Sequence, residues 1–188
     1  VINSTRAFLP HLKERPESAI VNTSSIFGLL SVPTQSIYHV GKFGVRGFTE
    51  SLALEMQLNN ESVEVYSVHP GHIGTNIFSA SRFKNFEPGT SLFGEANTPE
   101  EAGKIFKENA PTSAKSAAKI ILKNIRKKNK RILVGIDAHM YDLAQRIFPK
   151  WYIYLLPLIP LIRNLFPKDK ISYCLLYTSP SPRDWMVS

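Results

Sequence analysis

Three short apolar runs rich in β-branched residues, "AIVNTSS" at 19–25, "VEVYSVHPG" at 63–71 and "RILVGI" at 131–136, alternate with longer stretches whose apolar residues fall at helical spacing. Runs of this length suit buried strands, and the longer stretches suit helices with one face turned inward. Residues 1–14 carry Val1, Ile2, Ala7, Phe8 and Leu12 at helical spacing and end near the turn-like "RPES". From Phe43 to Leu58, the residues Phe43, Val45, Phe48, Leu52, Leu54 and Met56 mark a helix packed on a sheet. "TPEEAGKIF" is a helix start, with Thr98 at the cap, Pro99 in the first helical position, and Glu100 and Glu101 near the positive end of the dipole. Helix, strand, helix, strand, helix, strand is the order of a parallel sheet with crossover helices. The 188 residues, 43% of them hydrophobic, suffice for one domain with a sizeable core.

A doubly wound sheet that binds a dinucleotide opens with a strand, a glycine-rich turn and a helix that receives the pyrophosphate. No segment of this sequence supplies that turn. The expected fold class is therefore α/β, an incomplete doubly wound (Rossmann-type) parallel sheet lacking its N-terminal dinucleotide-binding half. Val1 stands in mid-pattern without a preceding methionine, which reads as a helix cut at its front. Residues 1–149 are expected to form the C-terminal part of one such domain.

The net charge of +8 raises the question of an anionic partner. Most of the local excess lies in "KSAAKIILKNIRKKNKR", Lys115 to Arg131, which reads as an amphipathic helix with Ala118, Ile121, Leu122 and Ile125 inward and lysines in solvent. No helix-turn-helix, zinc-finger or RNA-binding motif accompanies it, so no nucleic-acid partner is expected. Cys174 is the single cysteine, which excludes an internal disulfide framework and fits a reducing, cytoplasmic compartment.

The helix beginning near Ser36 opens with Tyr38 and Lys42, four positions apart and so on one face about a turn from each other. A phenol with a pKa near 10 exchanges protons poorly at neutral pH unless its anion is stabilised. An ammonium within about 4–6 Å favours the phenolate, which makes Tyr38 a candidate acid/base. Upstream, Ser25 ends "AIVNTSS", at the strand end where ligand crevices open in parallel sheets. A hydroxyl there can donate to a substrate oxygen as charge develops on it. Downstream, Pro70 and Gly71 of "HPGHIGT" turn the next strand end toward the same crevice.

In "NTSS", in the Y-x-x-x-K of "YHVGK", in the helix "FGVRGFTESLALEM" and in "HPGHIGT", in that order, the chain resembles the short-chain dehydrogenase/reductase family over about residues 1–140. The resemblance implies NAD(P)(H)-dependent hydride transfer between a carbonyl and an alcohol, with the choice of NAD or NADP open. It implies that Tyr38 gives or takes the proton at the substrate oxygen. Lys42 lowers the tyrosine's pKa and holds the nicotinamide ribose, and Ser25 orients the carbonyl or alcohol. Pro70, Gly71, Ile73 and Thr75 match the positions that meet the nicotinamide end of the cofactor. The family's catalytic asparagine should fall a few residues before Val1, and Asn3 is not its counterpart. The restored enzyme is expected to be a homo-oligomer, and the chain as it stands to be inactive. Epimerisation or dehydration of nucleotide sugars with the same three residues, and a non-catalytic NAD(P)-binding or membrane-associated scaffold, are the alternatives.

Histidines 11, 39, 69, 72 and 139 have no metal-ligand spacing, so no metal is expected. His39 projects about 100° round the helix from Tyr38, which suits surface or packing duty, and His72 lies in the cofactor-facing turn. The loop from Ser79 to Ala96, with Phe83, Phe86, Leu92 and Phe93 following Phe78, is expected to line a pocket for a lipophilic substrate. The apolar aromatic tail at 150–173 is too short and proline-broken to span a bilayer. It suits a substrate cap, a subunit contact or a peripheral membrane contact through 151–166. "CLLYTSPSPRD" resembles a translated sequencing adapter, so 174–188 are set apart from the fold.

Overall fold

The computed structural model describes residues 1–33, 35–81, 96–155 and 158. The elements run α1 (Ile2–Lys13), β1 (Ser18–Thr23), a 3₁₀ turn (Ile26–Gly28), α2 (Ser36–Leu58), β2 (Val63–Pro70), β3 (Ile73–Gly74), α3 (Pro99–Glu108), β4 (Thr112–Ser113), α4 (Ala114–Arg126), β5 (Arg131–Val134), α5 (Ile136–Ile147) and α6 (Tyr152–Leu155). The three expected strands form one parallel sheet in the order β1-β2-β5, with Ser18 opposite Val63 and Ser67 opposite Arg131. The short β3 and β4 pair in parallel beside it.

Helices cover the sheet from both sides, as a doubly wound fold requires. On one face, Ile20, Val63 and Val65 pack with Leu52 and Met56 of α2, and Leu9 and Leu12 of α1 close over them. On the other, Tyr66, Val68, Ile132 and Val134 pack with Ala117, Ile120, Ile121 and Ile125 of α4 and with Ile73. The central strand β2 is consequently buried along nearly its whole length. Each fully buried valine or isoleucine there stabilises the fold by about 1.5–3 kcal/mol relative to exposure.

Several inward assignments move by one position. In α4, Ala117 and Ile120 face the core with Ile121 and Ile125, while Ala118 and Leu122 lie in solvent. The lysine-rich face spans so much of this helix that apolar positions alone set its phase poorly. In α1, Leu9 and Leu12 make the contact and Val1, Ile2 and Phe8 are exposed; in α2, Leu54 and Phe43 are exposed. Among the described residues β1 has one neighbouring strand, β2, and its Val21 is exposed.

Helix α5 follows β5 directly and has no counterpart in the order of elements read from the sequence. Gly135 makes the turn into it with φ +103°, a left-handed conformation that side chains disfavour. Asp142 of α5 then pairs with Arg131 at the start of β5 and, at 2.9 Å, with Arg146. The Thr98 cap is as expected: its hydroxyl accepts the Glu101 N–H, with Pro99 in the first turn. No helix among the described residues is long and apolar enough to cross a membrane. The expected pocket loop lies outside the described residues at 82–95, as does most of the tail.

The 3₁₀ turn docks onto α2 with almost no clearance. A Cβ on Gly28 would lie 2.8 Å from the Lys42 carbonyl oxygen and 2.3 Å from Ser24 Oγ, which itself donates to that carbonyl at 2.8 Å. Because the obstacle is helix backbone, Gly28→Ala should destabilise the fold by about 1–3 kcal/mol. Gly44→Ala on the open side of α2, where an added Cβ meets nothing within 4 Å, should instead stabilise by roughly 0.5–1 kcal/mol. Urea unfolding of the two variants against the parent checks both signs.

Candidate active site

All three strands of the main sheet are parallel, so β1, β2 and β5 finish at the same edge. The segments leaving them, Ser24–Gly28, Gly71–Thr75 and Gly135–Asp137, therefore gather there. The start of α2 reaches this edge because three bonds hold it to β1. Asn22 Nδ2 donates to Thr49 Oγ1 at 3.0 Å, Ser24 Oγ donates to the Lys42 carbonyl, and Lys42 Nζ donates to the Thr23 carbonyl at 3.2 Å.

Tyr38 and Lys42 meet as their spacing predicts. The ammonium lies 5.5 Å from the centroid of the Tyr38 ring, within cation–π range. Burial pulls the Lys42 pKa below the ordinary lysine value, and no carboxylate among the described residues pairs with it. The Thr23 carbonyl takes one of its three donors. Phe27 connects this pair to the serine: its ring stands edge-on to Tyr38 at 6.0 Å, and its N–H donates to Ser25 Oγ at 3.1 Å. Accepting there leaves the Ser25 proton able to donate elsewhere. Ser25 is buried and Tyr38 is 41% exposed, so the phenol forms the open side of the group.

The turn after β2 is fixed by backbone contacts. Gly71 N–H donates to the Val134 carbonyl at 2.9 Å, and His72 N–H donates to Asp137 Oδ2 at 2.6 Å. The Asp137 carboxylate fills the space where a Gly71 Cβ would be, and its Oδ1 is buried without a donor among the described residues. Pro70, Gly71 and Thr75 lie along this turn, whereas the Ile73 side chain belongs to the core. Only its backbone can face a ligand. His72 Nε2 bonds the Phe106 carbonyl at 2.7 Å, and its ring packs on Phe106, as does Phe78 at 5.5 Å. Among the described residues no group of three His, Cys, Asp or Glu could hold a metal ion.

Two histidines that carried no distinctive sequence signal stand behind the site. His69, fully buried at the end of β2, reaches the Ser25 carbonyl with Nδ1 at 3.1 Å and Ser67 Oγ with Nε2 at 2.9 Å. His39, buried beside Tyr38, reaches the Phe27 carbonyl with Nδ1 at 2.8 Å, and its Nε2 lies 2.9 Å from the Val32 N and 3.2 Å from the Val32 carbonyl. Of surface or packing duty, the two expectations for His39, the structure bears out packing: the ring is buried and stands edge-on to Phe27 at 5.2 Å. Its contacts to backbone were not legible.

The sequence profile of the family described as short chain dehydrogenase matches residues 1–85. SadH of Mycobacterium tuberculosis is 37% identical over 153 residues, 81% of this chain and 52% of its own length. The chain belongs to the short-chain dehydrogenase/reductase family. Cyclopentanol dehydrogenase of a Comamonas species is 35% identical over 105 residues, 54% of this chain and 41% of its own. A crystal structure of a family member from Burkholderia phymatum in complex with NAD superposes with a TM-score of 0.62 at 24% identity, covering 82% of this chain and 54% of that one, and shows the fold. The chain thus spans about half the length of SadH and of that structure.

Burial pushes the His69 pKa down to about 4, outweighing its bond to the Ser25 carbonyl; Arg131 and Arg46 also lower it and Glu50 opposes them. Unfolded, the ring takes a proton below about 6.5. Between these values the unfolded state holds more protons, so the contribution is intact above about pH 6.5 and is lost as the pH falls toward 4. The loss should reach on the order of 3 kcal/mol. Denaturant unfolding from pH 7.5 to 4.5 should show it, with a shallower decline in His69→Asn; equal slopes in the two proteins would contradict it.

Proposed function

We propose that residues 1–149 are the catalytic half of an NAD(P)-dependent oxidoreductase that interconverts a carbonyl and an alcohol. What supports this reading most is the Lys42 ammonium, tied to the Thr23 carbonyl and held 5.5 Å from the Tyr38 ring, on the strand that leads directly to Ser25. The cofactor, when bound, supplies or accepts the hydride. In reduction, Tyr38 gives its phenolic proton to the substrate oxygen as charge gathers there, and Ser25 donates a hydrogen bond to the same oxygen. In oxidation, the Tyr38 phenolate takes the alcohol's proton. Lys42 places its positive charge beside the phenolate and keeps two N–H donors for the nicotinamide ribose.

On this reading Pro70, Gly71, the Ile73 backbone and Thr75 would meet the nicotinamide end of the cofactor. Gly71 lets the turn lie against Asp137 without a side chain between them. NAD is the ligand named for the Burkholderia phymatum structure, and either NAD or NADP suits the groups present here. On this reading the pyrophosphate is held outside residues 1–149, in the part of the relatives' length that the chain does not span. The substrate is lipophilic on this reading, drawn from steroid, retinoid or fatty acyl carbonyls; cyclopentanol dehydrogenase is a relative named for an alicyclic alcohol.

In the full-length parent, Tyr38→Phe should lower kcat by about 10²–10⁴-fold while cofactor affinity stays within about twofold. Nicotinamide absorbance follows the reaction. Undiminished turnover would overturn the catalytic assignment, and product formed without net change in the cofactor would favour an epimerase or dehydratase. A panel of long-chain aldehydes, a sterol ketone and small sugars tests the substrate class, and activity confined to the sugars would remove the lipophilic reading.

A further inference from the structure

Resting on the oxidoreductase reading, we propose that His39 and His69 act as a pair of positioning residues that clamp the Ser25–Val32 segment between β2 and α2 and so set Ser25 against Tyr38. The two rings hold opposite ends of that segment. His69, from the end of β2, grips the carbonyl of Ser25 itself. His39, the residue after Tyr38 on α2, grips the Phe27 carbonyl and the Val32 N–H. The serine is thereby referred to the sheet, and the helix that carries the tyrosine is referred to the serine's own segment.

The partners dictate the protonation of both rings. A carbonyl oxygen only accepts, so Nδ1 must carry the proton in each ring. His39 Nε2 faces both polar groups of Val32, its N–H at 2.9 Å and its carbonyl at 3.2 Å. A neutral His69 takes the Ser67 hydroxyl proton on its bare Nε2. Both rings thus carry a proton on Nδ1, and each spends both nitrogens on this segment or on the strand behind it. The Ser25 carbonyl also receives the Gly28 N–H at 3.0 Å, so both of its lone pairs are engaged. Neither ring touches the Ser25 hydroxyl or the phenol in its role here. They act through the backbone, and the Ser25 proton stays available to a substrate oxygen.

Imidazole donors at Nδ1 correspond in reach to an asparagine amide, which separates positioning from mere filling of space. In the full-length parent, His69→Leu and His39→Leu should each lower kcat by about 10–100-fold with cofactor affinity within about twofold. His69→Asn, which restores a donor to the Ser25 carbonyl, should recover kcat to within about threefold of the parent. Leucine and asparagine variants at position 69 with equal kcat overturn the proposal. Tyr38→Phe is assayed alongside: if it is inactive while the leucine variants turn over normally, the histidine proposal falls alone, and if it is active, the oxidoreductase reading falls and takes the proposal with it. Should the leucine variants fail to fold, ¹⁵N correlation spectra of the unaltered protein at pH 7 decide. A proton on Nδ1 is expected in both rings, and a ring bare at Nδ1 at either position overturns the clamp.

Discussion

The site depends on how closely the backbone of the 3₁₀ turn lies against α2. Gly28 occupies a gap that no side chain can enter, because the Lys42 carbonyl and Ser24 Oγ would stand within a bond's reach of a Cβ. That carbonyl is where the ladder of α2 runs past the end of β1, and Ser24 Oγ bonds to it. One contact therefore sets both the depth and the rotation of the helix relative to the strand end. Lys42 then reaches the Thr23 carbonyl, Tyr38 lies one turn toward the opening, and Ser25 follows from the strand without further adjustment. A shift of one residue along the helix would turn the phenol by about 100° and carry it out of reach of the crevice.

Electrostatics at this edge are spare. Lys42 is the cation set beside the phenol, and its burial costs solvation that no carboxylate among the described residues returns. A neighbouring carboxylate would hold the ammonium more firmly, but would also spend the charge that a phenolate needs. Hydrogen bonds do the holding instead: two imidazole rings, a serine hydroxyl and several backbone amides fix the surrounding chain. Asp137 contributes a negative charge to the next turn, where it is tied to the His72 N–H. The Lys42 ammonium thus stands at the start of α2 and the Asp137 carboxylate at the turn after β2.

Much of this was legible in the sequence, for reasons that differ by residue. The strands at 19–25, 63–71 and 131–136 stood out because central parallel strands must be apolar, and Tyr38 with Lys42 stood out because helical spacing fixes their mutual direction. Pro99 and Thr98 announced their helix through cap chemistry. Phase within α4 was not legible to the residue, since Ala118 and Leu122 are as apolar as the Ala117 and Ile120 that the sheet selects. Helix α5 meets the sheet through the buried Ala138 and the Asp142–Arg131 pair, while Ile136, Met140, Leu143 and Ile147 are left exposed by the described residues, so its apolar stripe does not mark its contact. His69 and Asp137 act across contacts between residues far apart in the chain, which no local pattern encodes.

The unequal exposure of Tyr38 and Ser25 bears on when the site becomes competent. Ser25 is already dry at 8% exposure, whereas the phenol at 41% still meets water. Water around a phenolate screens the Lys42 charge and competes with the substrate oxygen for the proton, so catalysis gains only once that face is covered. The inner wall is built by the fold through His69, Gly28 and the sheet edge. The described residues leave the Tyr38 side open. On the proposed oxidoreductase reading, the serine and lysine are held ready in advance and the tyrosine is the group whose environment changes when that side is covered, which is where a proton transfer timed to substrate arrival is best placed.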